Sequence, residues 1–170
     1  MLQTRVVIVR ATAKLRKALK ASAGDVAVGG DDAWYANVVT IARQRWLLLL
    51  HEETLFPVVV PDVRAADLRV FGELVCIAIA ERLVDCALPP ATFGTLDPAE
   101  VHVGSTASKQ VLGHLTQVAL EVEHSVSGSG GPEHVDLVGL TDFLASTPRR
   151  RGRSYVYGSD LASERAASGR

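Results

Sequence analysis

Residues 34–61 carry the clearest hydrophobic pattern in the chain. Trp34 to Ile41 reads as a strand, with Val39 and Ile41 on one face. Ala42-Arg43-Gln44-Arg45 reads as a turn, and the run Trp46-Leu-Leu-Leu-Leu50 is apolar on both faces. His51-Glu52-Glu53-Thr54 is a second tight turn, and Leu55 to Val60 a third strand. Loops this short cannot carry a parallel crossover, so residues 34–61 are expected to form an antiparallel three-strand meander. A central strand with no polar face must be covered on both sides. Pro57 has no N–H to give, so the third strand is an edge or bulges there. An edge at Leu55 to Val60 either is covered or invites pairing with another chain, and oligomeric state stays open.

Downstream the period changes. Leu68, Phe71, Leu74, Val75, Ala78, Ile79, Leu83, Val84 and Ala87 recur at spacings of three and four. Between Glu73 and Glu81 the segment is apolar all round, which predicts a helix over 64–88 buried on every face. Pro89-Pro90 stops it. Upstream, the β-branched segment 4–10 predicts a strand, and 12–21 a short basic amphipathic helix capped by Thr12. Residues 22–33 read as a loop, and Glu100 to Val103 as a short strand. Ser105 or Thr106 is expected to cap an amphipathic helix that ends near Val126, before the Ser127–Pro132 break. Asp136 caps a last helix ended by Pro148. Strands cluster in hairpins and helices come late, so the expected class is α+β. An antiparallel sheet, centred on the meander, packs against the buried helix 64–88 and the later amphipathic helices.

Composition narrows the picture. With 170 residues, 48% hydrophobic and 22% charged, the chain suits one globular domain that folds without disulfide or metal. Net charge is −1 but unevenly laid out. Residues 149–170 hold six arginines against Asp160 and Glu164, a local +4, which leaves −5 for the rest. The expected division is a domain over 1–148 and an Arg- and Tyr-containing C-terminal extension over 149–170. No leader is expected from residues 1–10, which alternate charge and apolarity. No apolar run approaches the ~18 residues that span a bilayer. Cys76 and Cys86 share one predicted helix, ~15 Å apart and too far to bridge. They read as small buried groups in a reducing, cytoplasmic setting. Fourteen of the 18 basic residues are arginine, which suggests a GC-rich bacterial genome.

Candidate chemistry is sparse. His114, Glu121 and His124 share one helical stripe, but so do Gln110 and Gln117, while Val111, Leu115, Val118, Val122 and Val126 lie opposite. The stripe is expected to be a solvated face, with no metal. His51-Glu52-Glu53 resembles the start of a zinc-protease motif, but position 55 is Leu where the second His belongs. Its carboxylates are expected to be solvated. The Ser127-Gly-Ser-Gly-Gly stretch lacks the Lys of a phosphate loop and reads as a linker. Trp34, Tyr35 and Trp46 read as core. Two features remain as binding candidates. Ser105, Thr106 and Lys109 open a helix whose N-terminus suits an anion. Arg149, Arg150, Arg151 and Arg153, followed by Tyr155 and Tyr157, combine phosphate contacts with stacking.

Several segments together resemble an uncharacterised bacterial small-domain family, one described only as a domain of unknown function. They are Trp34-Tyr35-Ala36-Asn37, Glu53-Thr54-Leu55-Phe56, Val58-Val59-Val60-Pro61, Val111-Leu112-Gly113, and Leu140 to Leu144 with Pro148. The resemblance covers roughly residues 1–160. It implies an Arg-Ser pair before Val-Leu-Gly and an Asn-Asp pair after it, where this chain has Lys109-Gln110 and Thr116-Gln117. It implies no activity and no cofactor. The expected function is a non-enzymatic binding or interaction domain with a protein or nucleic-acid partner at the C-terminal arginines. The alternative is an enzyme acting on a small phosphorylated or acidic ligand near Gly104–Lys109, with His51, His102 or His114 as acid–base group.

Overall fold

The computed structural model describes residues 6–21 and 33–169. The loop expected at 22–33 therefore lies almost wholly outside the described residues. Five strands form one sheet: β1 (Val7–Ala11), β2 (Ala33–Ile41), β3 (Gln44–His51), β4 (Pro57–Val60) and β5 (Val101–Ser105). Their order is β4-β3-β2-β1-β5. The meander is the one the short turns require. β2 runs antiparallel to β3 from Trp34↔His51 to Ile41↔Gln44, and β3 antiparallel to β4 from Leu47↔Val60 to Leu50↔Pro57. β4 is an edge strand, as Pro57 demands.

The sheet extends past the meander in a way the hairpin pattern did not predict. β1 pairs parallel with both β2 and β5. Such pairs need long connections, and these contain helices: α1 (Ala13–Leu19) between β1 and β2, α2 (Ala65–Arg69) and α3 (Phe71–Asp85) between β4 and β5. The class is α+β with a mixed sheet.

Alternation along the strands sorts side chains into two cores. On one face Trp34, Ala36, Leu47, Leu49 and Val58 meet Leu15 of α1, Leu68 of α2, and Val75, Ile79 and Leu83 of α3. On the other, Tyr35, Trp46, Leu48, Leu50 and Val59 meet α4 (Lys109–Gly128) and α5 (Leu137–Ser146). The four leucines of β3 are fully buried. Each contributes roughly 1.5–3 kcal/mol relative to exposure, and together they tie the two layers to one strand. Trp34, Tyr35 and Trp46 are core as expected.

The helix expected over 64–88 is corrected on two counts. It breaks at Val70, whose ψ of 45° leaves the helical region, into α2 and α3. Nor is it buried on every face: Val70, Ile77 and Val84 are 48%, 56% and 77% exposed. Positions seven apart lie on one side of a helix. Here that side points away from the sheet. The start of α4 also differs. Ser108, rather than Ser105 or Thr106, is the cap, accepting from Val111 N at 3.2 Å. The reason is β5, which holds Ser105 in the sheet opposite Ala11.

The polar segment after Pro148 is folded. β6 (Arg149–Arg151) and β7 (Ser154–Val156) form a hairpin, followed by α6 (Gly158–Ser168). Ala162 is fully buried in the first core. At Gly158 a Cβ would stand 2.7 Å from the Leu55 carbonyl oxygen, so α6 approaches the turn before β4 more closely than any side chain allows.

Candidate functional site

Two groups of polar residues far apart in sequence meet at the start of α4. In the turn from β5, the backbone N–H groups of Ala107 and Ser108 both donate to the Tyr35 hydroxyl, at 3.3 and 2.7 Å. Tyr35 reaches them from the second core. It fixes the direction of the turn into α4 by holding the two amides that precede the helix. Lys109 follows, exposed. One face of the next turns is then bound to the hairpin: Gln110 Nε2 donates to the Arg150 carbonyl at 3.3 Å, and His114 Nε2 lies 2.8 Å from the same oxygen.

The arginines of the cluster part ways. Arg149 turns inward, its side chain 2% exposed, and NH2 donates to Glu121 Oε2 at 2.8 Å. Arg151 NH1 donates to the Glu53 carbonyl at 2.6 Å. Arg150, Arg151 and Arg153 are all exposed; Arg150 Nε donates to the Gly152 carbonyl at 3.2 Å, and Tyr155 lies directly across the hairpin from Arg150, 67% exposed. The stripe of α4 expected to be solvated is therefore partly covered. Its opposite, valine-rich face is buried as expected. Gln110 and His114 hold the hairpin through the Arg150 carbonyl, and Glu121 holds it because Arg149, taken out of water, needs a carboxylate beside it.

The histidines considered for acid–base work stand on three elements, His51 on β3, His102 on β5 and His114 on α4. His51 is fully buried on the first face, against Trp34 (5.0 Å between ring centres) and Phe93 (4.6 Å). It sits three strand spacings, ~14 Å, from β5. His102 is half-exposed on β5, 3.7 Å from Glu100. Among the described residues no three His, Cys, Asp or Glu side chains are grouped to hold a metal.

The His51–Thr54 turn is less solvated than its charges suggested. Thr54 N donates to His51 Nδ1 at 3.2 Å. Glu52 lies 3.7 Å from Arg10 Nε, and Glu53 accepts from Arg165 NH1 at 2.9 Å. Arg165 Nε donates to the Thr92 carbonyl at 2.8 Å. Glu53, Thr54, Arg151, Glu164 and Arg165 line a polar cleft of about 440 Å³.

Another arginine gave no sign in the sequence beyond its helical phase with Val75 and Ile79. Arg82 of α3 has a side chain 4% exposed, with NH2 donating to Asp142 Oδ1 at 2.9 Å. Its guanidinium carbon lies 5.5 Å from the centre of the Phe56 ring. Nε and NH1 have no hydrogen-bond acceptor among the described residues. Buried donors left so cost about 1–3 kcal/mol each. Arg82 stands between two clefts and lines both, one of about 160 Å³ beside β4 and one of about 400 Å³ beside α6. None of these three clefts is lined by a histidine or by Ser105–Lys109.

Both cysteines are free. Burial is the main cause that pushes their thiols above the ordinary 9.0; Asp97 adds to it at Cys76, while at Cys86 Arg82 opposes and Asp142 and Asp85 add. A raised pKa keeps the proton on the folded form. The stability it carries is complete below pH 9.0 and is lost as pH rises from there through the folded-state value. Alkylation by iodoacetamide at pH 8 is expected to be slower at Cys76 than at free cysteine. Peptide mapping against time measures it, and an equal rate would show an accessible thiolate.

Residues 8–161 match the model of one protein family, described as a domain of unknown function (DUF6933). The chain belongs to that family. The match runs from β1 through the hairpin into α6, so Lys109, Arg82 and the arginines of β6 all lie inside the DUF6933 region. No curated protein and no solved structure matches the chain. No helix among the described residues is long and apolar enough to cross a membrane.

Proposed function

We propose that this DUF6933 member is a bacterial, cytoplasmic binding module rather than an enzyme, and that it takes single-stranded nucleic acid on the face shared by α4 and the hairpin. The observation that carries the reading is the docking of the hairpin on the start of α4, where Gln110 and His114 hold the Arg150 carbonyl one residue and one turn past the exposed Lys109, with the exposed Tyr155 across the hairpin from Arg150 and the exposed Arg153 in its turn. Cations track a phosphate backbone, and an exposed aromatic stacks on any base. Arg149 and Arg151 serve the fold instead. Two free thiols in a chain without a disulfide support the reducing compartment. The acid–base alternative near Gly104–Lys109 gains no support: His51 is buried three strands away, His102 on β5 sits beside Glu100, His114 is engaged with the Arg150 carbonyl, and none of the three clefts joins a histidine to Ser105–Lys109.

The test is fluorescence anisotropy with a labelled oligodeoxythymidine of about 20 nucleotides. Three exposed cations correspond to a slope of log K against log salt of about −2. Arg150→Glu with Arg153→Glu should abolish binding, and Tyr155→Ala should weaken it by about 1–3 kcal/mol. Absence of binding at low salt, or binding indifferent to the double substitution, refutes the reading.

A further inference from the structure

A second surface, sharing no residue with the α4–hairpin face, carries an inference of its own. The edge of β4, with Val58 and Val59 2% and 5% exposed, forms the floor of a groove walled by α3 and α5. Phe56 O accepts from His51 N at 3.0 Å, so alternation along the strand turns the polar groups of Val58 and Val60 toward β3 and those of Val59 outward. Pro57 and Pro61 flank Val59 and have no N–H. Away from β3 this edge therefore directs one amide donor, that of Val59, between outward carbonyls, at the floor of the groove. Prolines at an edge discourage indefinite sheet extension; with one outward donor, this edge specifies a single register for a short segment.

The groove has two ends. Leu74, Ile77 and Leu137 line the apolar one, with Ile77 56% exposed. Arg82 stands at the other, next to Asp85 and Asp142, with Glu81 between the two ends. Its Nε and NH1 are buried donors without an acceptor among the described residues. A free phosphate or carboxylate fits poorly there, because it would meet Asp85 and Asp142 as well as the guanidinium. The neutral carbonyl of a peptide fits. Ser146 and Ser163 donate their hydroxyl protons to the carbonyls of Asp142 and Ser159, which leaves acceptor oxygens facing the same cleft. Glu81, Asp85 and Asp142 outnumber Arg82 three to one, so the side chains such a peptide brings should be cationic.

We propose that this groove binds a short extended segment of a partner protein in which apolar residues alternate with lysine or arginine. The segment adds to β4 through Val59, places an apolar side chain against Ile77, and offers a backbone carbonyl to Arg82.

The full chain, labelled with ¹⁵N and followed by two-dimensional NMR, supplies the test. It is titrated with an acetylated peptide of alternating valine and lysine, with its valine–glutamate counterpart, and with acetate. Saturable shifts of the Val59 N–H and the Arg82 Nε–H are expected with the lysine peptide alone. Ile77→Asp and Asp85→Lys change exposed side chains, and each should weaken that binding about tenfold or more. Arg82→Gln should abolish the contact, and its own spectrum reports whether the variant is folded. Three results overturn the proposal. One is the absence of shifts at these two groups up to about 1 mM peptide, the limit of weak binding. Another is an acetate shift of Arg82 equal to the peptide's, which marks a simple anion site. The third is movement of both signals with protein concentration alone, which makes a second copy of the chain the occupant. Nucleic-acid binding at the hairpin is read from different residues, so either conclusion can fail without the other.

Discussion

Arg149→Ala is expected to destabilise the protein by about 3–5 kcal/mol, because it leaves Glu121, a mostly buried carboxylate, without its cation. The pair links α4 to β6, and Arg149 also reaches the Leu144 carbonyl of α5 at 3.4 Å, so one side chain holds three elements. The companion substitution decides the mechanism. Arg149→Met together with Glu121→Leu removes both charges and keeps the volume, and is expected to leave stability within about 1–2 kcal/mol of the natural chain. Urea unfolding of the two variants measures the contrast. Equal losses in both would mean that shape, rather than an uncompensated charge, sets the cost. No loss in the single variant would return Arg149 to the list of free, partner-binding cations.

Ending the chain at Pro148 is expected to have the larger effect. It removes Arg149 from Glu121, Arg165 from Glu53 and Thr92, and Ala162 from the first core. Two such links lost together approach the ~5–15 kcal/mol that holds a domain of this size. The truncated chain should lose its cooperative urea transition and its near-ultraviolet signal from Trp34 and Trp46. A truncated chain with an unchanged midpoint would mean that the hairpin and α6 are an appendage. It follows that a test of partner binding by deletion confuses folding with recognition, and the point substitutions at Arg150 and Arg153 are the cleaner probe.

What was legible in the chain differs by element for physical reasons. The meander was legible because its turns are short and its middle strand has no polar face. Both facts are local, and both restrict pairing to one geometry. Thr12 and Asp136 were legible as caps because a side-chain oxygen before an amphipathic run satisfies amides only three residues away. The parallel pairing of β1 was not, since strands joined by long connections leave no local trace of who their neighbour is. The cap of α4 lies two or three residues beyond the expected Ser105 or Thr106 because β5 runs to Ser105 and carries the chain past it, and that pairing is tertiary.

The candidate sites divide along the same line. Residue type identified Lys109, Arg150, Arg153 and Tyr155 as able to bind phosphate and base. It could not separate them from Arg149 and Arg151, identical side chains whose acceptors, Glu121 and the Glu53 carbonyl, come from other parts of the chain. Arg82 was hidden for the opposite reason. A single cation at the end of an apolar helix looks like a solvated charge until Phe56 and Asp142 are brought against it.

By itself, the order of residues determined the α+β class, the three-strand meander, the double-sided burial of Leu47–Leu50 and the membership of a family without assigned activity. The tertiary structure alone decided that Arg149 is buried against Glu121 while its neighbours Arg150, Arg151 and Arg153 are exposed, that one side of α3 is left open, and that a proline-flanked strand edge lies beside a buried cation. Secondary structure follows from periodicities a few residues long, whereas the fate of a charge depends on which distant groups share its surroundings.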